Sequence, residues 1–493
     1  MDPSGLVKLL LPQIPSLSYT ALSHSFGFSA QSSKWDLRTA LTVHVLRELM
    51  GSNGKKSGRK IPPVGRVQKR TLTDPGIKGK MWIAKATMGK EGAEGLEGAV
   101  ERAVQEMQPG GENLKGKRRE VGVEDVEVEW TGWREGAGKE EGLPEISEKE
   151  KFERMRAEKG RESEVVWLYF HGGAYYLCDP RTHRALTSKL AKESGGIVCS
   201  VRYRLAPQTA FPGQLVDALL VYLSLLHPGP DSLHPAIPAS NIVFAGDSAG
   251  GNLSFGLLQL LLQLHRTGTP IPFRGQDIPP PPLPAGVTAN SGWFDISRSL
   301  PSITANAVWD YLPPPNHDDD ATSTFPADDI WPTSPPRGDL FCDLDLLDHP
   351  LASVVLADSW ETSPPLWMCT GQEMLTDEDL LVAKRAANQG VNVTLEQYEA
   401  MPHCFQLLMP TLPNAERCVR SWGQWGRKVV DSPGEVQGKG TFIPSKRGEE
   451  KGFAVAEMQS VELEEARRLV RDAKEKRMKG FEKEGKAMPK PAL

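Results

Sequence analysis

A chain of 493 residues is longer than one core needs, and its 39% hydrophobic and 25% charged residues fit one large globular domain with extensions. A net charge of −5 leaves no basic footprint for nucleic acid. The six cysteines, Cys178, Cys199, Cys342, Cys369, Cys404 and Cys418, form no CxxC pair, which argues against a zinc site and a dense disulfide framework.

No apolar run approaches the roughly 20 residues of a membrane span. The stretch 1–27 has one short apolar run, 6–11, broken by Pro12, with no basic head and no cleavage site. No signal peptide is expected, and the expected location is cytoplasmic. Peripheral membrane contact through a cap stays open. Ser33 and Asp36 resemble a capping pair, and Leu37, Leu41, Val45 and Leu49 recur at helical spacing until Gly51. That helix reads as a surface helix with one buried stripe or as part of a cap. Residues 51–70 read as a loop. Strands are expected at 80–87 and 126–131, where Val126, Val128 and Trp130 alternate with Glu127 and Glu129. The charged, glycine-rich stretches 89–119 and 136–161 read as connecting segments.

From Val165 the pattern changes. Apolar runs at 165–170, 197–203, 242–245, 286–290, 366–370 and 393–398 read as buried strands. Helical patterns at 184–194, 215–226, 251–265 and 377–389 fall between them. This alternation predicts an α/β fold with a mainly parallel sheet. Residues 267–284 are proline-dense and read as loop; 295–365 read as a long lid or binding excursion. After about Gly426 the sheet pattern ends, 455–480 reads as a charged, solvated helix, and the last residues read as disordered. The organisation expected is an N-terminal cap segment and linker (1–160), a catalytic domain (161–430) and a charged extension (431–493).

The strand at 242–245 runs into Gly246-Asp247-Ser248-Ala249-Gly250-Gly251, and a helix follows. Strand, sharp turn and helix are the context in which G-x-S-x-G presents a nucleophilic serine. Gly246 and Gly250 leave room for the turn, and the helix N-terminus behind it favours negative charge. The strand at 165–170 leads into His171-Gly172-Gly173-Ala174-Tyr175. Open N–H groups at such a strand end can hold an oxyanion. The donors expected are Gly172, Gly173 and Ala249, with His171, Ala174, Tyr175 and Asp247 as pocket candidates.

A serine hydroxyl needs a base. His403 follows a predicted strand and comes after the serine in the chain, the order that this type of sheet requires. The acid that orients it should follow the strand at 366–370. Glu373, Asp377, Glu378 and Asp379 are all placed there; Glu373 is nearest the strand end and is chosen, with Asp377 second.

These motifs, with Tyr203-Arg204-Leu205-Ala206-Pro207, Phe211-Pro212, Ser291-Gly292-Trp293 and Met401-Pro402-His403, resemble the hormone-sensitive-lipase branch of the α/β-hydrolase superfamily, including its arylacetamide-deacetylase-like esterases, over about residues 165–427. The overall pattern is similar to fungal members. The resemblance implies an eight-stranded sheet, a helical cap from the N-terminal segment, a buried ion pair between Arg204 and Asp217, and hydrolysis of short- to medium-chain or aromatic esters. Two departures stand out. That branch usually has Asp where this chain has Glu373, and Ala174 replaces the third glycine. The expected function is carboxylic ester hydrolysis on a small-molecule substrate through Ser248, His403 and Glu373, with no cofactor and no metal. The alternatives are a deacetylase, lactonase or amidase of the same fold, or a ligand-binding protein without turnover. Oligomeric state is not legible.

Overall fold

The computed structural model describes residues 11–50, 62–111, 121–158, 162–313, 325–446 and 448–483. Its strands are β1 (Met81–Met88), β2 (Val126–Trp133), β3 (Val166–Phe170), β4 (Ile197–Val201), β5 (Ile242–Asp247), β6 (Ile271–Phe273), β7 (Gln276–Ile278), β8 (Gly286–Asn290), β9 (Leu366–Gly371), β10 (Val393–Tyr398), β11 (Lys439–Ile443) and β12 (Lys451–Phe453). Among the described residues, ten strands form one sheet in the order β1-β2-β4-β3-β5-β8-β9-β10-β11-β12. Pairing is parallel from β4 to β11, while β1, β2 and β12 run antiparallel to their neighbours.

The helices are α1 (Ile14–Ser25), α2 (Leu37–Met50), α3 (Val64–Thr71), α4 (Leu96–Glu106), α5 (Glu148–Arg156), α6 (Pro180–Ser194), α7 (Gly213–Leu226), α8 (Ala249–Thr267), α9 (Ser302–Ala305), α10 (Thr376–Asn388), α11 (Phe405–Leu408), α12 (Pro413–Asp431) and α13 (Leu463–Lys483). They cover both sheet faces, which is why the central strands are continuous apolar runs. Successive side chains point to opposite faces. Val166, Leu168 and Phe170 of β3 therefore pack in one core with α7, α8 and α10. Trp167 and Tyr169 pack in the other with α6 and α12. There the Trp422 ring stacks on Trp367, centroids 5.3 Å apart. Arg204 Nη2 lies 2.7 Å from Oδ1 of buried Asp217, the ion pair that the resemblance implies.

The α/β-hydrolase fold is as expected, but the sheet is wider than eight strands. β1 and β2 form one edge, outside the expected catalytic range. Beyond residue 430, β11 pairs in parallel with β10 and β12 closes the other edge. Lys439 and Gly440 are poor strand formers, so the pairing with β10 makes this strand, not its own propensity. The C-terminal helix α13 is not a solvated appendage. It buries Ala466, Val470 and Phe481, and its Lys474 and Arg477 reach Asp348 (2.7 Å) and the Ser297 carbonyl (2.9 Å) in the long excursion.

Smaller differences have similar causes. The 51–70 stretch contains α3, the 89–119 stretch contains α4 with its buried Leu96, Val100 and Val104, and the 267–284 loop contains a β6–β7 hairpin. Helix α2 keeps the expected period but turns another face inward, burying Thr39, Ala40 and Val43 and leaving Leu37 and Leu49 exposed. Its cap is Asp36 and not Ser33: Oδ1 accepts from Thr39 N at 2.7 Å. Parts of the loops expected at 51–70, 89–119, 136–161 and 295–365, and the last residues, where disorder is expected, lie outside the described residues.

Candidate active site

Strand β5 ends at Asp247, and Ser248 turns the chain with φ 53° and ψ −120° before α8 begins. A left-handed φ at a non-glycine residue costs about 1–3 kcal/mol and needs surrounding support. Ser248 N–H donates to the Asn290 carbonyl (3.0 Å), and the Ser248 carbonyl accepts from Asn252 and Trp293 N–H (both 3.1 Å). A Cβ at Gly246 would lie 2.2 Å from the Gly250 backbone, and one at Gly250 would lie 1.9 Å from the Phe170 carbonyl. The turn therefore closes only with glycine at both places, as the motif requires. Ser248 itself is half-buried, at the carboxyl end of β5.

Strand β3 delivers the glycine loop beside this turn. Gly172 N–H donates to Asp247 Oδ1 at 3.1 Å. That N–H is therefore engaged by a carboxylate, where the sequence reading has it open to an oxyanion. The next residues turn the other way: Gly173 has φ 112°, and Ala174 has φ 52°. The N–H groups of Gly173, Ala174 and Ala249 donate to no acceptor among the described residues. Gly173 and Ala174 are half-buried.

Three of the four pocket candidates are buried framework. His171 stacks on Tyr203 (centroids 4.3 Å apart), and its Nδ1 lies 2.7 Å from the Gly172 carbonyl. Burial pushes its pKa down to about 4, so the ring is neutral at pH 7. Tyr175 stacks on Phe341 (3.8 Å), and its hydroxyl accepts from Asn252 Nδ2 at 2.9 Å. The Asp247 carboxylate also accepts the Tyr169 hydroxyl (2.5 Å) and lies 3.3 Å from His183 Nε2. Ala174 alone of the four is half-buried rather than buried.

Glu373 and His403 come together. Glu373 Oε1 lies 3.4 Å from His403 Nδ1, and Glu373 Oε2 accepts Leu375 N–H at 2.6 Å. The other acids serve backbone groups: Asp377 accepts Ser302 N–H (2.8 Å), Asp379 accepts Gly292 N–H (3.1 Å), and Glu378 accepts Asp295 N–H. The histidine loop reaches the serine turn through its next residue. Cys404 N–H donates to Ser291 Oγ (3.2 Å), and Cys404 Sγ lies 3.8 Å from Asp247 Oδ2. The Ser248 hydroxyl makes no hydrogen bond to a described residue, His403 included. Such bonds are commonly loose without substrate and tighten around the reacting group.

Burial works against a charged His403 ring, but Glu373, with Asp310 and Asp247 behind it, outweighs burial and raises the pKa above its ordinary value. Two residues here carried no signal in the sequence. His183 belongs to an ordinary amphipathic helix, and Asp310 lies in the aperiodic excursion, yet both meet the site's carboxylate and amide groups. Among the described residues, no group of His, Cys, Asp and Glu could hold a metal, and no helix is long and apolar enough to cross a membrane.

This arrangement can be set beside known proteins. A family model described as alpha/beta hydrolase fold matches residues 167–407. An acetyl-hydrolase of Streptomyces hygroscopicus is 30% identical over 55% of this chain and 78% of its own length. An esterase of Acinetobacter venetianus is 28% identical over 51% of this chain and 71% of its own length. A crystal structure of an esterase/lipase from an uncultured bacterium superposes with a TM-score of 0.51 at 19% identity, over 79% of this chain and 99% of that one, a likeness of fold. The chain belongs to the α/β-hydrolase family, in its hormone-sensitive-lipase-like branch of ester hydrolases.

Proposed function

We propose that the protein hydrolyses small-molecule carboxylic esters in two acyl-transfer steps, with Ser248 as nucleophile, His403 as base and Glu373 as the carboxylate that orients the imidazole. The observation that carries this reading is the contact between Glu373 Oε1 and His403 Nδ1. It leaves Nε2 as the nitrogen that can take the proton from Ser248. The alkoxide attacks the ester carbonyl, and the negative oxygen is received by the N–H groups of Gly173, Ala174 and Ala249. Donors set in advance at that position lower the barrier, and losing one such donor typically costs about 3–4 kcal/mol of transition-state stabilisation. His403 returns its proton to the departing alcohol. It then deprotonates water, whose hydroxide attacks the acyl carbon; the bond to Ser248 Oγ breaks, Oγ takes the proton back from His403, and the acid leaves. The N–H groups that remain without an acceptor, and the strained turn that lifts Ser248 from the sheet, support the same roles.

The test is hydrolysis of p-nitrophenyl butyrate by the full chain and by Ser248→Ala, with labelling by a fluorophosphonate probe alongside. Turnover and labelling should both vanish in the variant. Turnover retained in Ser248→Ala overturns the assignment.

A further inference from the structure

We propose that Asp310, in the excursion after β8, is a positioning residue that holds the His403 loop and the Glu373 turn in register, and that Arg47 of α2 anchors it. The inference rests on the triad reading above. Asp310 ends a short 3-10 turn, Ala307–Trp309, and its side chain is buried. Oδ1 accepts Tyr311 N–H (2.7 Å) and His403 N–H (3.3 Å), and Oδ2 accepts Met374 N–H (3.0 Å). One carboxylate thus bridges the backbone of His403 and the residue next to Glu373. With donors arriving at both oxygens, the site needs an acceptor-only group; an amide would turn a donor toward one of them.

The bridge is itself held. Arg47 Nε donates to the Asp310 carbonyl (2.7 Å), and Nη2 donates to the carbonyls of Val308 (2.7 Å) and Ala307 (3.2 Å). Gln31 Nε2 also takes the Val308 carbonyl (3.0 Å), and the Trp35 ring packs edge-on against Trp309 at 5.7 Å. The N-terminal segment therefore reaches the triad through Asp310. The groups around His403 are the carboxylates of Glu373, Asp310 and Asp247, the Cys404 thiol, and the Tyr311 ring at 6.2 Å. Asp310 also contributes negative charge where the imidazolium forms during attack.

The experiment compares the full chain with Asp310→Asn, Arg47→Met and Ser248→Ala, measuring kcat, KM and the pH profile of kcat/KM on p-nitrophenyl butyrate. Asp310→Asn should lower kcat by roughly 10- to 100-fold with KM nearly unchanged, as a small misplacement of the base would. Its acid limb should move to lower pH, because a negative charge near His403 is lost. Arg47→Met keeps that charge, so its kcat should fall less and its acid limb should stay in place. Wild-type turnover that survives Ser248→Ala sinks the triad reading itself. Serine-dependent turnover with an undiminished kcat in Asp310→Asn, or a lower kcat with an unmoved acid limb, overturns this inference alone. If Asp310→Asn does not fold, Arg47→Met decides: an unchanged kcat overturns it.

Discussion

The Gly172 N–H and the Asp247 carboxylate, 3.1 Å apart, join the loop that leaves β3 to the turn that carries Ser248. The same carboxylate takes the Tyr169 hydroxyl and faces His183, and all four residues are buried.

Asp247→Ala would strand a phenol, an imidazole and an amide in the interior. Breaking a buried charged pair by removing one partner costs about 3–5 kcal/mol. The denaturant midpoint should fall accordingly, and a midpoint within error of wild type refutes this role. The pH dependence follows from the same pair. Burial opposes an ionised Asp247, but His183 and the hydrogen bonds outweigh it and lower the pKa. Its share of stability is present above the ordinary value of 3.8 and is lost as pH falls through the lower folded value. His183 is raised against its own burial by Asp247. Its share is present below 6.5 and lost as pH rises through the higher folded value.

The two carboxylates closest in sequence to the role of triad acid should separate cleanly. Glu373→Gln leaves the imidazole without its orienting charge and should lower kcat by about 10⁴-fold. Asp377 exchanges hydrogen bonds with Ser302 at the start of α10. Asp377→Asn should therefore leave kcat close to wild type and cost at most about 1 kcal/mol of stability. Equal losses of kcat in both variants contradict the choice of Glu373.

In the proposed mechanism His403 acts as a base and must be neutral, and its pKa is raised above the ordinary 6.5. Activity should therefore rise with pH along an acid limb whose midpoint is above 6.5, measured as kcat/KM on an ester whose own hydrolysis is corrected for. Glu373→Gln removes the largest upward influence and should shift what activity remains to lower pH. A wild-type limb centred below 6.5 contradicts the site's electrostatics.

A chain ending after Gly434 loses β11, β12 and α13. That exposes the edge of β10 and uncovers the face of the excursion on which Lys474 and Arg477 sit. The truncated protein should melt several degrees lower and aggregate more readily, because an open strand edge invites pairing with other chains. Equal melting temperature and solubility of both forms disprove this contribution.

What the sequence reveals here depends on how local the signal is. The serine turn, the glycine loop and His403 are legible because each combines a buried strand with a motif whose spacing the chemistry dictates. The central strands are legible because burial on both faces makes them continuous apolar runs. β11 was hidden because Lys439 and Gly440 become strand only by lying next to β10. The acceptor of the Gly172 N–H is not legible, because a sequence shows N–H groups but not who accepts from them; the partner, Asp247, lies 75 residues away. Asp310 had no local signature at all, since its meaning lies in the two loops that it joins.

The loop that would receive the negative oxygen is made of main chain, and this has a consequence for how such a protein can change. Gly173 sits at φ 112°, and a Cβ there would lie 2.4 Å from the Leu177 carbonyl. Peptide N–H groups are the same whatever residue bears them, so exchanging residues cannot adjust their strength, and at Gly173 it would only derail the path of the chain. New substrate preferences would then come from side chains, such as that of half-buried Ala174, and from the aperiodic excursion after β8. Invention is confined to the surroundings, and the reaction's electrical fixture stays as it is.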